Sequence, residues 1–145
     1  MQVRAYEAAD AERWDTLCAE AHGATFLHTR RFLSYHGERF TDRSLIFEDG
    51  ARWLGVLPAA QSLSQPDHVV SHPGITYGGL LHGGALRGEA MLNALQAASQ
   101  HYADAGYAGW LYKPVPHIYH HAPAQDDLYA LFRLGAKRVR CDLSS

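Results

Sequence analysis

A chain of 145 residues is one domain by size and buries roughly two thirds of its unfolded surface, enough to fold without disulfide or metal staples. With 47% hydrophobic and 19% charged residues, and no apolar run near the ~20 residues of a membrane span, the composition is that of a globular protein and speaks against membrane insertion. A net charge of −2 supplies no overall field for a phosphate backbone, which disfavours nucleic acid as a partner.

The first residues lack the charged-then-apolar pattern of a signal peptide, and a cytoplasmic protein is expected. Cys18 and Cys141 stand far apart in helix-like and strand-like settings, which fits small buried hydrophobes better than a disulfide. Val3 and Ala5 open a short strand. Asp10 then serves as N-cap for a helix carrying Trp14, Leu17, Cys18 and Ala21 at helical spacing. A second short helix is predicted from about Thr29 to the stop at Gly37, with Arg30 and Arg31 on its exposed first turn.

Ser44 to Phe47, the Asp49-Gly50 pair and Arg52 to Ala59 predict a β-hairpin, because glycine supplies the positive φ of a two-residue turn. After the polar stretch 61–67, His68 to Ser71 reads as a brief strand. It leads into Ser71-His72-Pro73-Gly74-Ile75-Thr76-Tyr77-Gly78-Gly79, where three glycines and a proline demand sharp backbone turns among polar side chains.

A long helix is predicted from about Leu86 to Ala105, its core face stepping through Met91, Leu95, Ala98, Tyr102 and Ala105. Ala108 to Val115 reads as a strand. Pro123 then starts a last helix with Asp126 and Asp127 near its N-terminal dipole and Leu128, Leu131 and Phe132 facing inward. Val139, Cys141 and Leu143 alternate as a final half-buried strand. This order predicts an α+β domain over 1–145, with a mixed sheet and helices on its faces.

Several segments carry a family likeness. Phe26-Leu27-His28-Thr29-Arg30-Arg31-Phe32-Leu33, Leu57-Pro58-Ala59-Ala60, the stretch from Ser71 to Gly79, Lys113-Pro114-Val115-Pro116-His117-Ile118-Tyr119 and Tyr129-Ala130-Leu131-Phe132 resemble the first half of FemAB-like members of the GNAT acyltransferase superfamily. The resemblance implies a GNAT-like α+β fold with a mixed, mostly antiparallel sheet flanked by helices. It also implies transfer of an acyl or aminoacyl group to an amine, often in cell-envelope or polysaccharide biosynthesis. The donor would be acyl-CoA or an aminoacyl-tRNA, the one nucleic acid such a reading admits. Because family members are tandem and about twice as long, it implies a partner as well: a second GNAT-like half, or a second copy in a homodimer.

The chain departs from the superfamily at the donor site. The glycine-rich turn Gln/Arg-x-x-Gly-x-Gly/Ala that holds coenzyme A pyrophosphate is missing, and Leu80-Leu81-His82-Gly83-Gly84 does not match its spacing. No cofactor-binding residue is therefore assigned.

Acyl transfer to an amine needs a base, oxyanion donors and an acid for the leaving group. His72 and Tyr77 are the catalytic candidates, as base and proton donor, and Tyr112 is a second proton-donor candidate. Backbone N–H groups at Gly78 and Gly79 are oxyanion candidates. Ser71, Gly74, Thr76, Gly78, Gly79, Tyr112, Lys113 and Arg30 are expected to line the substrate cleft, the last two as anion contacts. With equal weight, Pro73-Gly74 and Gly78-Gly79 merely shape a bulge and turn, with His72 and Tyr77 bonding the loop backbone. His117, His120 and His121 lack a Cys or Glu to complete a compact ligand set, so no metal is expected. Two rivals stand beside the acyltransferase reading: a non-catalytic substrate-binding or dimerisation module, and a self-sufficient small N-acetyltransferase using acetyl-CoA.

Overall fold

The computed structural model describes residues 1–21, 28–33, 40–71, 79–113 and 126–135, without the side chains of 31 and 32. In chain order they form β1 (Gln2–Ala5), a 3₁₀ turn (Ala8–Asp10), α1 (Ala11–Glu20), α2 (Arg30–Leu33), β2 (Leu45–Asp49), β3 (Arg52–Leu57), β4 (Ala60–Gln61), β5 (His68–Val70), α3 (Glu89–Asp104), β6 (Gly109–Leu111) and α4 (Asp126–Arg133). The mixed α+β class read from the sequence is the one observed. The final strand expected near Val139 lies outside the described residues.

The strands form two three-stranded sheets, ordered β1-β2-β3 and β4-β5-β6. In the first, all pairs are antiparallel, and the predicted hairpin turns at Gly50 with φ +60°. Central strand β2 is buried on both faces. Leu45 and Phe47 pack with Met91, Leu95 and Ala98 of α3, while Ile46 packs with Trp14 and Cys18 of α1.

A bulge in β3 adjusts the alternation. Phe47 pairs with Gly55 and Glu48 with Trp53, so Leu54 is the extra residue, and Trp53 joins Val56 on the α1 side. Gly55 is required by close approach rather than by its torsion angles. A Cβ there would meet the Leu81 carbonyl oxygen at 2.7 Å and Leu86 Cδ1 at 2.8 Å.

The second sheet combines an antiparallel β4–β5 pair with a parallel β5–β6 pair, whose crossover contains α3. The sequence places Met91, Leu95, Ala98 and Tyr102 in the core, and all four are buried. Ala105, expected on the same face, lies past the helix and is exposed. The predicted hairpin strand to Ala59 is divided, because Pro58 cannot donate a ladder hydrogen bond and β4 starts in the other sheet at Ala60.

Two local expectations are corrected. Asp10 stands at the N-cap position of α1 without capping it. Its carboxylate instead accepts from the Glu7 N–H at 2.9 Å and pairs with Arg4, tying the 3₁₀ turn back to β1. On α4 the buried side chains are Asp127 and Ala130, whereas Leu128 and Phe132 are exposed, Phe132 at 79%. The reason lies in the hydrogen bonds of Asp126 and Asp127 described next, which fix the rotation of the helix about its axis.

Candidate functional site at the carboxyl ends of the parallel strands

Parallel strands β5 and β6 end side by side, at Val70 and Leu111, with Ser71 following the first and Tyr112 and Lys113 the second. The Ser71 N–H donates to the Leu111 carbonyl at 2.8 Å, extending the ladder by one bond. In open sheets with parallel strands, the crevice outside the carboxyl ends is where ligands are received, because helices and loops diverge there. The stretch 72–78 leaves from this edge. His72, Gly74, Thr76, Tyr77 and Gly78 lie outside the described residues.

What the structure shows is how the two ends of that stretch are held. Gly79, Leu80 and Leu81 donate three consecutive backbone N–H groups to three different elements. Gly79 donates to Ser71 Oγ at 2.9 Å, Leu80 to the Tyr112 hydroxyl at 2.7 Å and Leu81 to the Val56 carbonyl at 2.8 Å. The first bond joins the residues on either side of the stretch, the second reaches the end of β6, and the third returns the chain to the first sheet. Gly79–Leu81 thereby joins both sheets.

These bonds revise several roles expected from the sequence. Ser71 is fully buried, and its hydroxyl is committed to Gly79, so the pair holds the chain together instead of facing a ligand. The Gly79 N–H, a candidate oxyanion donor, is likewise already satisfied.

Tyr112 accepts from Leu80 and donates its own proton to Asp127 Oδ2 at 2.7 Å. Burial, reinforced by the Asp127 charge, pushes the Tyr112 hydroxyl well above the usual tyrosine range. Tyr112 therefore stays neutral and positions the chain; its proton is spent on Asp127 rather than on a leaving group. Lys113 follows at the strand end, half-buried.

Asp127 was not singled out as a site residue by the sequence, where the Asp126-Asp127 pair reads as favourable charge at a helix start. Both carboxylates do more than that. Asp127 is buried and anchors Tyr112, and its Oδ1 accepts the Leu128 N–H at 2.9 Å. Asp126 accepts the Gly88 N–H at 2.8 Å and pairs with Arg87 at 3.1 Å, locking α4 to the N-terminus of α3. That Gly88 bond, with Arg87, holds the Asp126 carboxyl below the usual carboxylate range.

The same bonds bear on donor binding. In a pyrophosphate cradle the N–H groups before the helix stay open to the anion. Here the Gly88 N–H is taken by a carboxylate of the chain itself, and the Gly84 N–H donates to His82 Nδ1 at 3.0 Å. The start of α3 does not fit a coenzyme A pyrophosphate, and no donor contact is assigned to it.

Arg30 is corrected most sharply. Expected on an exposed helical turn, it is 8% exposed and stands in the first sheet's sector. Its guanidinium lies 3.5 Å from the Tyr6 ring centroid and 4.0 Å from that of Trp14, and one terminal nitrogen pairs with Asp42. Among the described residues, no three His, Cys, Asp or Glu side chains converge as a metal site; His117, His120 and His121 lie outside them. No described helix is long and apolar enough to cross a membrane. Cys18 is buried, and its thiol is pushed up to about 12 by that burial.

Comparison with family models gives no match, and comparison with curated proteins gives none. Among solved structures, the chain is similar over its whole length to TTHA1254 from Thermus thermophilus. The TM-score is 0.60 with 19% identity to a single-substitution mutant of that protein and 0.60 with 18% identity to its wild type, and 95% of either chain is covered. At that identity the likeness is one of fold.

Proposed function

We propose that this chain is a GNAT-like domain of a FemAB-like N-acyltransferase, one that forms the acceptor wall of a cleft in which an acyl or aminoacyl group passes to an amine of a small molecule, peptide or sugar. The observation that carries this reading is the parallel β5–β6 pair, from whose carboxyl ends the stretch bearing His72 and Tyr77 departs. In this reading His72 removes the ammonium or amine proton and Tyr77 serves the leaving group. The bonds at Ser71–Gly79 and Leu80–Tyr112–Asp127 fix the described residues on either side of that stretch relative to the sheet.

Because the start of α3 does not fit the donor, acyl-CoA or aminoacyl-tRNA is held by a second GNAT-like half or a second copy, in the cytoplasm where both donors occur. The first test is mass-spectrometric detection of N-acylated product from acetyl-CoA or aminoacyl-tRNA and a panel of peptide and amino-sugar amines. Product is expected, with His72→Ala lowering turnover by about tenfold to a hundredfold. Absence of product with every donor and amine, even at protein concentrations that drive self-association, would leave the domain a binding module.

A further inference from the structure

Of the large apolar side chains exposed among the described residues, Leu128, Tyr129, Phe132 and Leu134 all belong to α4 or the residue after it. Leu128 and Phe132 stand four residues apart on one stripe, 44% and 79% exposed, with Tyr129 at 51% on one flank and half-buried Leu131 on the other. A free helix would roll such a stripe inward. This one is held from turning, because Asp126 accepts the Gly88 N–H and pairs with Arg87 while Asp127 accepts the Tyr112 hydroxyl, so the carboxylates face the domain and the apolar stripe faces out.

We propose that this face of α4 is the docking surface for a second copy of the chain, the two α4 helices packing antiparallel about a two-fold axis near Ala130. The layout of charge selects that partner. Asp126 and Asp127 lie in the first turn and Arg133 in the last, so antiparallel pairing brings each basic end to the other copy's acidic end and opposes the two helix dipoles. Parallel pairing would set like ends together. The same arrangement places Phe132 over Leu128 of the second copy and Tyr129 over Leu131, an isologous fit in which every contact occurs twice. Tyr129 and Arg133 are ordered beforehand, since Arg133 Nη1 donates to the Tyr129 hydroxyl at 2.8 Å.

Size sets the strength of the pairing. With about 150–250 Å² for a fully exposed aromatic side chain, Leu128, Tyr129 and Phe132 together expose roughly 300 Å² per copy, and two copies bury about twice that through these residues alone. That lies below the ~1,200 Å² at which stable interfaces begin, so the dimer is weak and reversible. Tyr, Phe and Arg are types concentrated at protein interfaces. A membrane-binding face would instead carry Lys and Arg along its polar side, where α4 carries Asp126 and Asp127. The pairing stands independently of acyl transfer.

Sedimentation velocity of the whole chain from about 1 μM to about 1 mM, without acyl donor or acceptor, is the test, since a weak dimer forms within that span. A dimer fraction that rises with concentration is expected. Phe132→Asp should raise the dissociation constant at least about thirtyfold with Tm nearly unchanged, because the ring it replaces stands mostly in water. Arg133→Glu should weaken the dimer about threefold to tenfold, more at low salt than at high. A chain that stays monomeric at every concentration, leaving residues 136–145 or a different protein as the occupant of the face, overturns the proposal. So does a dimer that survives Phe132→Asp with the same dissociation constant, which places the interface elsewhere.

Discussion

The β1-β2-β3 sheet and the β4-β5-β6 sheet have three strands each and share one apolar core, yet the joints at their edges differ in kind. The first is an antiparallel meander whose central strand is covered on both faces by apolar side chains, with α1 on one side and α3 on the other. The second has strands of only two or three residues, and at the carboxyl ends of its parallel pair the joints are polar: Ser71 to Gly79, Tyr112 to Leu80 and Asp127. Apolar burial tolerates small shifts because it is non-directional, whereas a hydrogen bond fixes distance and angle. Apolar burial runs under both sheets, since Val69 of β5 shares the core with Leu45 and Phe47, and the polar joints of the second add directional anchors at its carboxyl end.

The sharpest way to break the first half of that contrast is Phe47→Ala. It removes a fully buried ring from β2 and should cost about 3–5 kcal/mol, read as a fall in the denaturation midpoint at unchanged m.

Tyr112→Phe tests the second half. It leaves the Leu80 N–H and the Asp127 carboxylate without the hydroxyl between them, at about 1–3 kcal/mol. Hydrogen exchange at Leu80 should quicken more than exchange in β2. Equal acceleration in both sheets would show that the polar joint is not local.

The smallest effect is expected at the α3–α4 lock. The Asp126 carboxyl is lowered by the Gly88 N–H and Arg87, so its contribution is fully present above the unfolded carboxylate pKa of about 3.9 and is lost as pH falls through the folded value. Asp126→Asn should therefore lower Tm slightly above about pH 5, by the equivalent of about 1 kcal/mol or less, with the gap to wild type closing in acid. A gap that stays constant down to about pH 3 would assign the effect to packing.

Much of the architecture was legible beforehand because periodicity and turn chemistry are local. The helical spacing of Trp14 and Cys18, and of Met91 through Tyr102, marks faces that are indeed buried, and Asp49-Gly50 marks a hairpin that forms. At α4 the same reasoning held only in part. Leu131 packs against the core as expected, but two adjacent carboxylates with partners just before α3 and after β6 turned Asp127 inward and left Leu128 and Phe132 exposed. Directional bonds to distant residues outweighed the apolar pattern, and no spacing in the sequence announces those partners.

The sequence by itself determined the α+β class, the hairpin, the long helix and the position of a glycine-rich stretch between a short strand and that helix. Those features depend on residues a few positions apart, whose preferences act wherever the chain goes. Only the tertiary structure decided that Ser71 holds the Gly79 N–H, that Tyr112 is committed to Asp127, and that Arg30 is buried against Tyr6, Trp14 and Asp42. Each of these is settled by a partner distant in the chain, and burial makes that partner decisive.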